Sequence, residues 1–293
     1  MFGIEQADDG MHWRKQWVMM VFIFVVMCLL SGCALMGQQN TPEQIFKRAV
    51  AGIAGKEMLT FTGRTGVRAG NGLPMLKQFK YRGIVRNHDE LVMDWGSTEV
   101  FRKRGDYAAL KKGKFGQEKI RARFVRQHGK WNALASGYNA LAGEGMLDRF
   151  NPIQELEELN TLNKTIRMEA SAARGTWVVR IEPEPTSAKR WLKEHLMKEM
   201  RTINDQIVIL DTKHKGSNQE VQQKLNQVWA QSYEELNRQL DHSVVQPVYH
   251  LTIDRQTGLP LKLSSDCRIS RQEANEEMHE EELITKVAFE GYK

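Results

Sequence analysis

Cysteine is scarce in this chain. Its 293 residues carry three, at positions 28, 33 and 267, too few and too badly placed for a disulfide framework. No cysteine pair has metal-ligand spacing, and there is no H-E-x-x-H, no G-x-S-x-G and no phosphate-cradling glycine loop. Those gaps remove the motif-bearing zinc enzymes, serine hydrolases and nucleotide-binding loops. Long apolar runs are missing too: Trp17 to Leu30 has only 14 residues, whereas a helix needs about 20 to cross a bilayer. Charge of one sign is also absent, because 42 Lys and Arg stand against 36 Asp and Glu for a net +6. Aromatics, at 8%, are too thinly spread to make a stacking platform for nucleic acid. What is present, 41% hydrophobic and 27% charged residues, is the composition of a globular fold with a buried core.

The short apolar run follows the basic pair Arg14 and Lys15 and has the length of a signal-peptide core. Leu30-Ser31-Gly32-Cys33 comes directly after it. A branched apolar residue, two small residues and a Cys at that place resemble the lipobox of bacterial lipoproteins. The resemblance implies that residues 1–32 are a cleaved signal peptide, that Cys33 becomes the lipidated N-terminus, and that residues 33–40 are a polar spacer. The alternative is an uncleaved signal anchor with an incidental Cys. A two-chain glyceride with an added palmitate-type chain suffices for stable membrane attachment. The expected location is the bacterial cell membrane, on its extracytoplasmic face.

From residue 41 onward the pattern is that of one domain. Thr41-Pro42-Glu43-Gln44 starts a helix with an N-cap, a Pro at the first position and a capping-box Gln, and Ile45, Phe46, Ala49, Val50 and Ile53 share its face. Alternating strands follow over 58–67, 79–86, 90–94, 98–104, 107–111 and 119–127, an antiparallel meander with one wet side. Residues 131–160 read as short helices and loops, with Asn151-Pro152 opening an acidic helix. Strands over 165–171 and 176–182 come next. Residues 187–241 read as a long helical hairpin turning at Lys215-Gly216, packed by stripes from Leu192 to Leu210 and through Val221, Leu225, Val228, Trp229, Leu236 and Leu240. Strands over 248–253, 259–269 and 284–291 close the chain. Helix, strands, helices, strands is an α+β order without βαβ units.

The TPEQI helix, the meander, the Asn151-Pro152 segment, and Tyr249 to Asp254 running into Thr257-Gly258-Leu259-Pro260 together resemble the LolA-like and LppX-like lipoprotein superfamily. That resemblance implies a strongly curved antiparallel half-barrel, closed by helices, around an apolar cavity for an acyl chain or another apolar envelope molecule. Candidate cavity-lining residues are Leu59, Phe61, Ile84, Val92, Val178, Leu251 and Ile253. No catalytic residues, cofactor or metal come with it, and the expected function is non-enzymatic.

Other chemistry is thin. His195 and Glu199 share a helix face, and Met278-His279-Glu280 lies in an acidic run, but neither has a metal-site pattern; Cys267 reads as packing. Between Thr98 and Trp131 eleven bases, among them Lys119, Arg121, Arg123, Arg126 and Lys130, face three acids, while Glu273 to Glu282 holds six acids and no base. These runs are either wet strand faces offsetting each other across the sheet, or a basic patch for anionic lipid headgroups or teichoic acid. Two functions follow: a lipid-binding module, or an interaction module acting in envelope assembly, signalling or sporulation through the hairpin or the basic face. The partners are the membrane through Cys33, a lipid or apolar ligand, an anionic envelope polymer or a protein, and not nucleic acid.

Overall fold

The computed structural model describes residues 40–70, 75, 77–98, 120–134, 150–170, 173–213, 219–272 and 278–293. Pro42–Lys293 forms a compact unit of its own. Cys33, the signal segment, the expected strand over 98–104 beyond Thr98, the expected strand over 107–111, and the Lys215-Gly216 turn lie outside the described residues.

The elements are α1 (Pro42–Ala54), β1 (Met58–Ala69), β2 (Lys77–Arg86), β3 (Glu90–Thr98), β4 (Ile120–Gln127), β5 (Lys130–Leu134), α2 (Pro152–Thr161), β6 (Lys164–Glu169), β7 (Thr176–Pro183), α3 (Pro185–Lys213), α4 (Gln219–Asp241), β8 (Ser243–Asp254), β9 (Pro260–Gln272) and β10 (Met278–Glu290). All ten strands join one antiparallel sheet in the order β5-β4-β3-β2-β1-β10-β9-β8-β7-β6. The first and last strands are therefore partners at its centre, and a meander runs outward on each side. The α+β class expected from the sequence holds. β5 does not fit the loops expected at 131–160: His128 and Gly129 both take positive φ (52° and 78°), which makes a tight two-residue hairpin turn that a His-Gly pair signals poorly.

Alternation along each strand divides the sheet into two faces. Leu59, Phe61, Val85, Leu91, Met93, Phe124, Val179, Leu251, Leu263, Val287 and Phe289 point inward and are buried. Beneath them pack Ile45, Phe46, Ala49 and Ile53 of α1 and Ile153, Leu156 and Leu159 of α2. Two glycines make room for rings on this face. A Cβ on Gly63 would lie 2.1 Å from Tyr81, and one on Gly83 would lie 2.1 Å from Phe61. The rings of Phe61 and Tyr81 meet edge to face, 6.4 Å apart. A smaller cluster, Ala188, Val245 and Cys267 with Leu192, Ile269 and Leu283, seats the start of α3 on the same face. Burial pushes the Cys267 thiol up to about 12, so it is packing, as its lone position implied.

The sheet is curved. β4 and β8 are six places apart in the strand order, about 29 Å on a flat sheet at 4.8 Å per strand. Yet α2, ten residues and about 15 Å long, bonds to both: Arg126 of β4 holds Glu157, and Tyr249 of β8 holds Glu155. Only a curled sheet brings those strands to one short helix.

α3 and α4 lie side by side in opposite directions, since Lys193 meets Asp241 at one end while Trp229 Nε1 donates to the Met200 carbonyl further along (2.7 Å). The expected stripe holds only near the sheet. Leu240 is buried and Leu236 and Trp229 are half-buried, but Val221, Leu225 and Val228 are 51%, 46% and 60% exposed. The start of α3 and the end of α4 are the parts that meet the sheet, at β8 and β9, and where the helix pair leaves the sheet it has no third layer to cover the stripe.

Candidate functional site

Where the seven expected lining residues fall follows from strand parity. Leu59, Phe61, Leu251 and Ile253 stand on the inner face and are at most 1% exposed, sealed beneath α1 and α2. Ile84, Val92 and Val178 stand on the outer face: Ile84 pairs with Thr60 and Val92, and Val178 with Thr252. The grouping of all seven on one face is corrected to four, because each of the other three is an odd step along its strand from a buried residue (Val85, Leu91, Val179).

The densest polar chemistry of the interior is on α2. Asn151 caps the helix, its Oδ1 accepting from the Ile153 and Gln154 N–H groups (3.1 and 3.4 Å), with Pro152 at the first position. That start aims Ile153, Leu156 and Leu159 at the sheet and leaves three carboxylates between them. Burial pushes Glu155 up to about 7, although the Tyr249 hydroxyl donates to it. Burial also presses on Glu158, but His195, Gln154 and Trp191 donate to it and together hold it below the usual range. His195 places Nε2 3.2 Å from Glu158 and Nδ1 3.0 Å from the Trp191 carbonyl. Both neighbours offer acceptor oxygens to the ring. Glu157 is raised by burial against the pull of Arg126, which also lies over the Trp131 ring, 5.8 Å from its centroid.

One carboxyl raised and one lowered is the pattern of an acid–base pair. Access argues otherwise. A cleft of about 490 Å³ opens between the β4–β5 turn, α2 and α3, and it is lined by Glu157, Glu158 and His195 but not by Glu155. Glu155 faces Tyr249, and of the cleft carboxylates Glu157 and Glu158 are already held by Arg126 and His195. The cluster ties α2 to β4, β8 and α3. Among the described residues no group of three or more His, Cys, Asp and Glu is arranged for a metal, and Glu199 does not join His195 in one.

The outer face is where charge accumulates. A groove of about 360 Å³ crosses β2, β3 and β4, with Ile84 and Val92 as its floor and Arg82, Arg86, Arg121, Arg123 and Asp94 around it. Asp94 accepts from Arg82 Nη2 and Arg121 Nε, each at 2.7 Å. The Arg121 bond, ahead of Arg82, keeps its carboxyl below the usual range against a burial penalty. Next to the groove, Lys286, Arg64 and Lys80 stand directly opposite one another on β10, β1 and β2. All three are exposed.

The described parts of the basic run and the acidic run do not meet. β4 is four places from β10, and Glu282 of β10 is instead held by Arg68 and Arg268 on its own neighbours, each at 3.3 Å. The bases at 102–119 lie outside the described residues. Sequence reading named Arg121 and Arg123 but passed over Arg64, Lys80, Arg82, Arg86 and Lys286. The signal for three of them was Lys80-x-Arg82-x-Ile84-x-Arg86, every second residue of one strand.

Among the described residues no helix is long and apolar enough to cross a membrane. No family model and no curated protein matches the chain. Solved structures similar to it include one described as lipid–protein interactions in lipovitellin (9% identity, TM-score 0.35, covering 81% of this chain and 25% of that one). LprF from Mycobacterium bovis is similar at 7% identity and TM-score 0.30, covering 86% and 92%. A DUF1329 family protein from Desulfovibrio piger is similar at 9% identity and TM-score 0.22, covering 87% and 93%. The chain thus spans about a quarter of the lipovitellin chain, and at these scores the likeness bears on neither ligand nor activity.

Proposed function

We propose that the chain is a non-enzymatic lipoprotein of the bacterial cell envelope, lipidated at Cys33 and held on the extracytoplasmic face, and that it works by binding at its surface. The lipobox-like Leu30-Ser31-Gly32-Cys33 supports the anchor. The observation that carries surface binding over a ligand held inside is the packing of the inner face. Leu59, Phe61, Leu251 and Ile253, which would line an acyl cavity, are covered by helices, and the two clefts described above are rimmed with charge.

Two measurements test this. Radiolabelled palmitate enters the native chain and not Cys33→Ser; equal incorporation would remove the anchor. Native mass spectrometry of the gently extracted protein shows no bound lipid beyond the covalent one. A stoichiometric non-covalent lipid would restore the lipid-binding reading, in which the half-barrel carries an acyl or isoprenoid chain.

A further inference from the structure

We infer that the outer face of β10 and β1–β4 docks on a bilayer rich in anionic phospholipid, headgroup phosphates engaging Arg86 and Arg123 above the Ile84–Val92 floor and lying along the Lys286–Arg64–Lys80 row. Like charges directly opposite on neighbouring strands destabilise a sheet, and this row opposes three. No described carboxylate forms a salt bridge with Arg64, Lys80, Arg86, Arg123 or Lys286, and of the five only Arg86 has an acid, Glu90, opposite it in the register. Nothing inside the fold is served by that repulsion, so its use is outside. The shape points to a surface and not to a single small anion. The cations come from four of five neighbouring strands spaced about 4.8 Å apart, all exposed, with none converging on an enclosed point. The groove between them, with its apolar floor, is open to solvent and offers room for a phosphate and the glycerol beneath it.

Proximity comes from the anchor, and to that extent the inference rests on the proposed function. Cys33 precedes Pro42 by nine residues, a tether of at most about 30 Å. An acyl chain at Cys33 would hold the domain at the membrane and raise the effective concentration of the face against it. The charged face itself is independent of the acyl chain and is tested without it.

The test takes residues 33–293 carrying Cys33→Ser and measures co-sedimentation with vesicles of phosphatidylcholine alone and of phosphatidylcholine with 30% phosphatidylglycerol. The chain binds the anionic vesicles and not the neutral ones. Combined Arg64→Gln, Lys80→Gln, Arg86→Gln and Arg123→Gln weakens binding at least about 100-fold, at about five-fold per charge. The matched control Lys47→Gln, Arg48→Gln, Lys224→Gln and Arg238→Gln, which removes the same charge elsewhere, keeps binding within about five-fold. Thermal melts of both variants confirm that they are folded. Equal binding to the two vesicles, or equal losses in the two variants, would overturn the inference. So would displacement by millimolar inorganic phosphate, which marks a small-anion site, or binding to a poly(glycerol phosphate) polymer without binding to vesicles. Because the acyl chain is absent, none of these outcomes depends on palmitate incorporation at Cys33.

Discussion

On the outer face of the sheet, the strands from β6 to β9, Lys262 excepted, and the start of β10 place their cations against carboxylates. Arg167 and Arg180 hold Glu182, Arg180 and His250 approach Glu169, and Arg68 and Arg268 close on Glu282. Across β1–β4, away from Arg68, one carboxylate, Asp94, serves two arginines, and Arg64, Lys80, Arg86 and Arg123 make no ion pair with a described residue, although Glu90 stands opposite Arg86 in the register. Both regions are strands of one sheet with similar alternation, so the difference lies in side-chain choice and not in architecture. Paired charge costs little and holds neighbouring strands in register; unpaired charge contributes nothing to the sheet and is available to something else. The contrast can be tested by exchanging the character of the two regions one residue at a time.

The largest effect is expected where the paired side is most buried. Glu282 is 3% exposed and accepts from both Arg68 and Arg268. Glu282→Ala leaves two half-buried guanidinium groups beside each other, a change that costs 3–5 kcal/mol for fully buried pairs. Because Arg68 and Arg268 are 30% and 41% exposed, water recovers part of that, and a loss of about 3 kcal/mol is expected. Urea unfolding at unchanged m reads it. A loss under about 0.5 kcal/mol would mean that the paired region is no more structural than the unpaired one.

The interior carboxylate gives the next effect, read by pH. Glu155 titrates near 7 in the folded chain, raised by burial from 4.5. Between those values the native state keeps a proton that the unfolded state has lost. Its stability contribution is therefore complete below about pH 4.5, falls as pH rises towards 7, and is then flat, a change of at most about 3 kcal/mol. Glu155→Gln keeps the shape without the proton, so the fall between pH 5 and 7 flattens while the paired outer charges are untouched. An unchanged pH profile in Glu155→Gln would show that Glu155 is solvated.

Much of this was legible in the sequence, and the failures share causes. Local signals worked: the Thr41-Pro42 and Asn151-Pro152 helix starts fall where the helices begin, and the Asp254 to Gly258 turn closes as expected, with Asp254 Oδ1 accepting from the Gln256 and Thr257 N–H groups at 3.0 and 2.7 Å. Inner-face residues were legible where alternation was strict, as at Leu59 and Phe61 or Leu251 and Ile253. Ile84, Val92 and Val178 misled because an apolar residue on the wet side of a strand looks like its buried neighbour one step away. The outer rows could not be read at all. They depend on β1 pairing with β10, more than 200 residues later, which no local pattern encodes. The helix stripe overreached because periodicity says which residues share a face, but not how far along a helix the covering layer extends.

A smaller effect is expected at the boundary between the two characters. Asp94 is the one carboxylate inside the basic groove, 14% exposed, and its arginines are 63% and 65% exposed. Its folded pKa is lowered, so its contribution is present at neutral pH and lost only as pH falls through that lowered value. Asp94→Asn should cost about 1 kcal/mol at pH 7, a surface-pair magnitude, and should tighten binding to anionic vesicles by freeing two more cations. Weaker vesicle binding with folding intact would mean that Asp94 positions the arginines for the ligand instead of holding them back.

The smallest change has the opposite sign. Lys80 stands directly across from Arg64 on one side and Gly96 on the other, so nothing inside the sheet answers its charge. Lys80→Glu replaces a like-charge opposition with an opposite-charge pair across β1 and β2, and cross-strand pairs of that kind are worth about 0.2–1 kcal/mol. A gain of about 0.5 kcal/mol at low salt is expected, fading at 1 M salt, where the screening length falls to about 3 Å. The same variant should bind anionic vesicles more weakly than Lys80→Gln, because it removes a cation and adds an anion at the end of the row beside the groove. A variant more stable in the fold and poorer at the membrane is the outcome that separates the two regions. If Lys80→Glu instead destabilises the chain at low salt, the row is not repelling itself, and its charges belong to the fold after all.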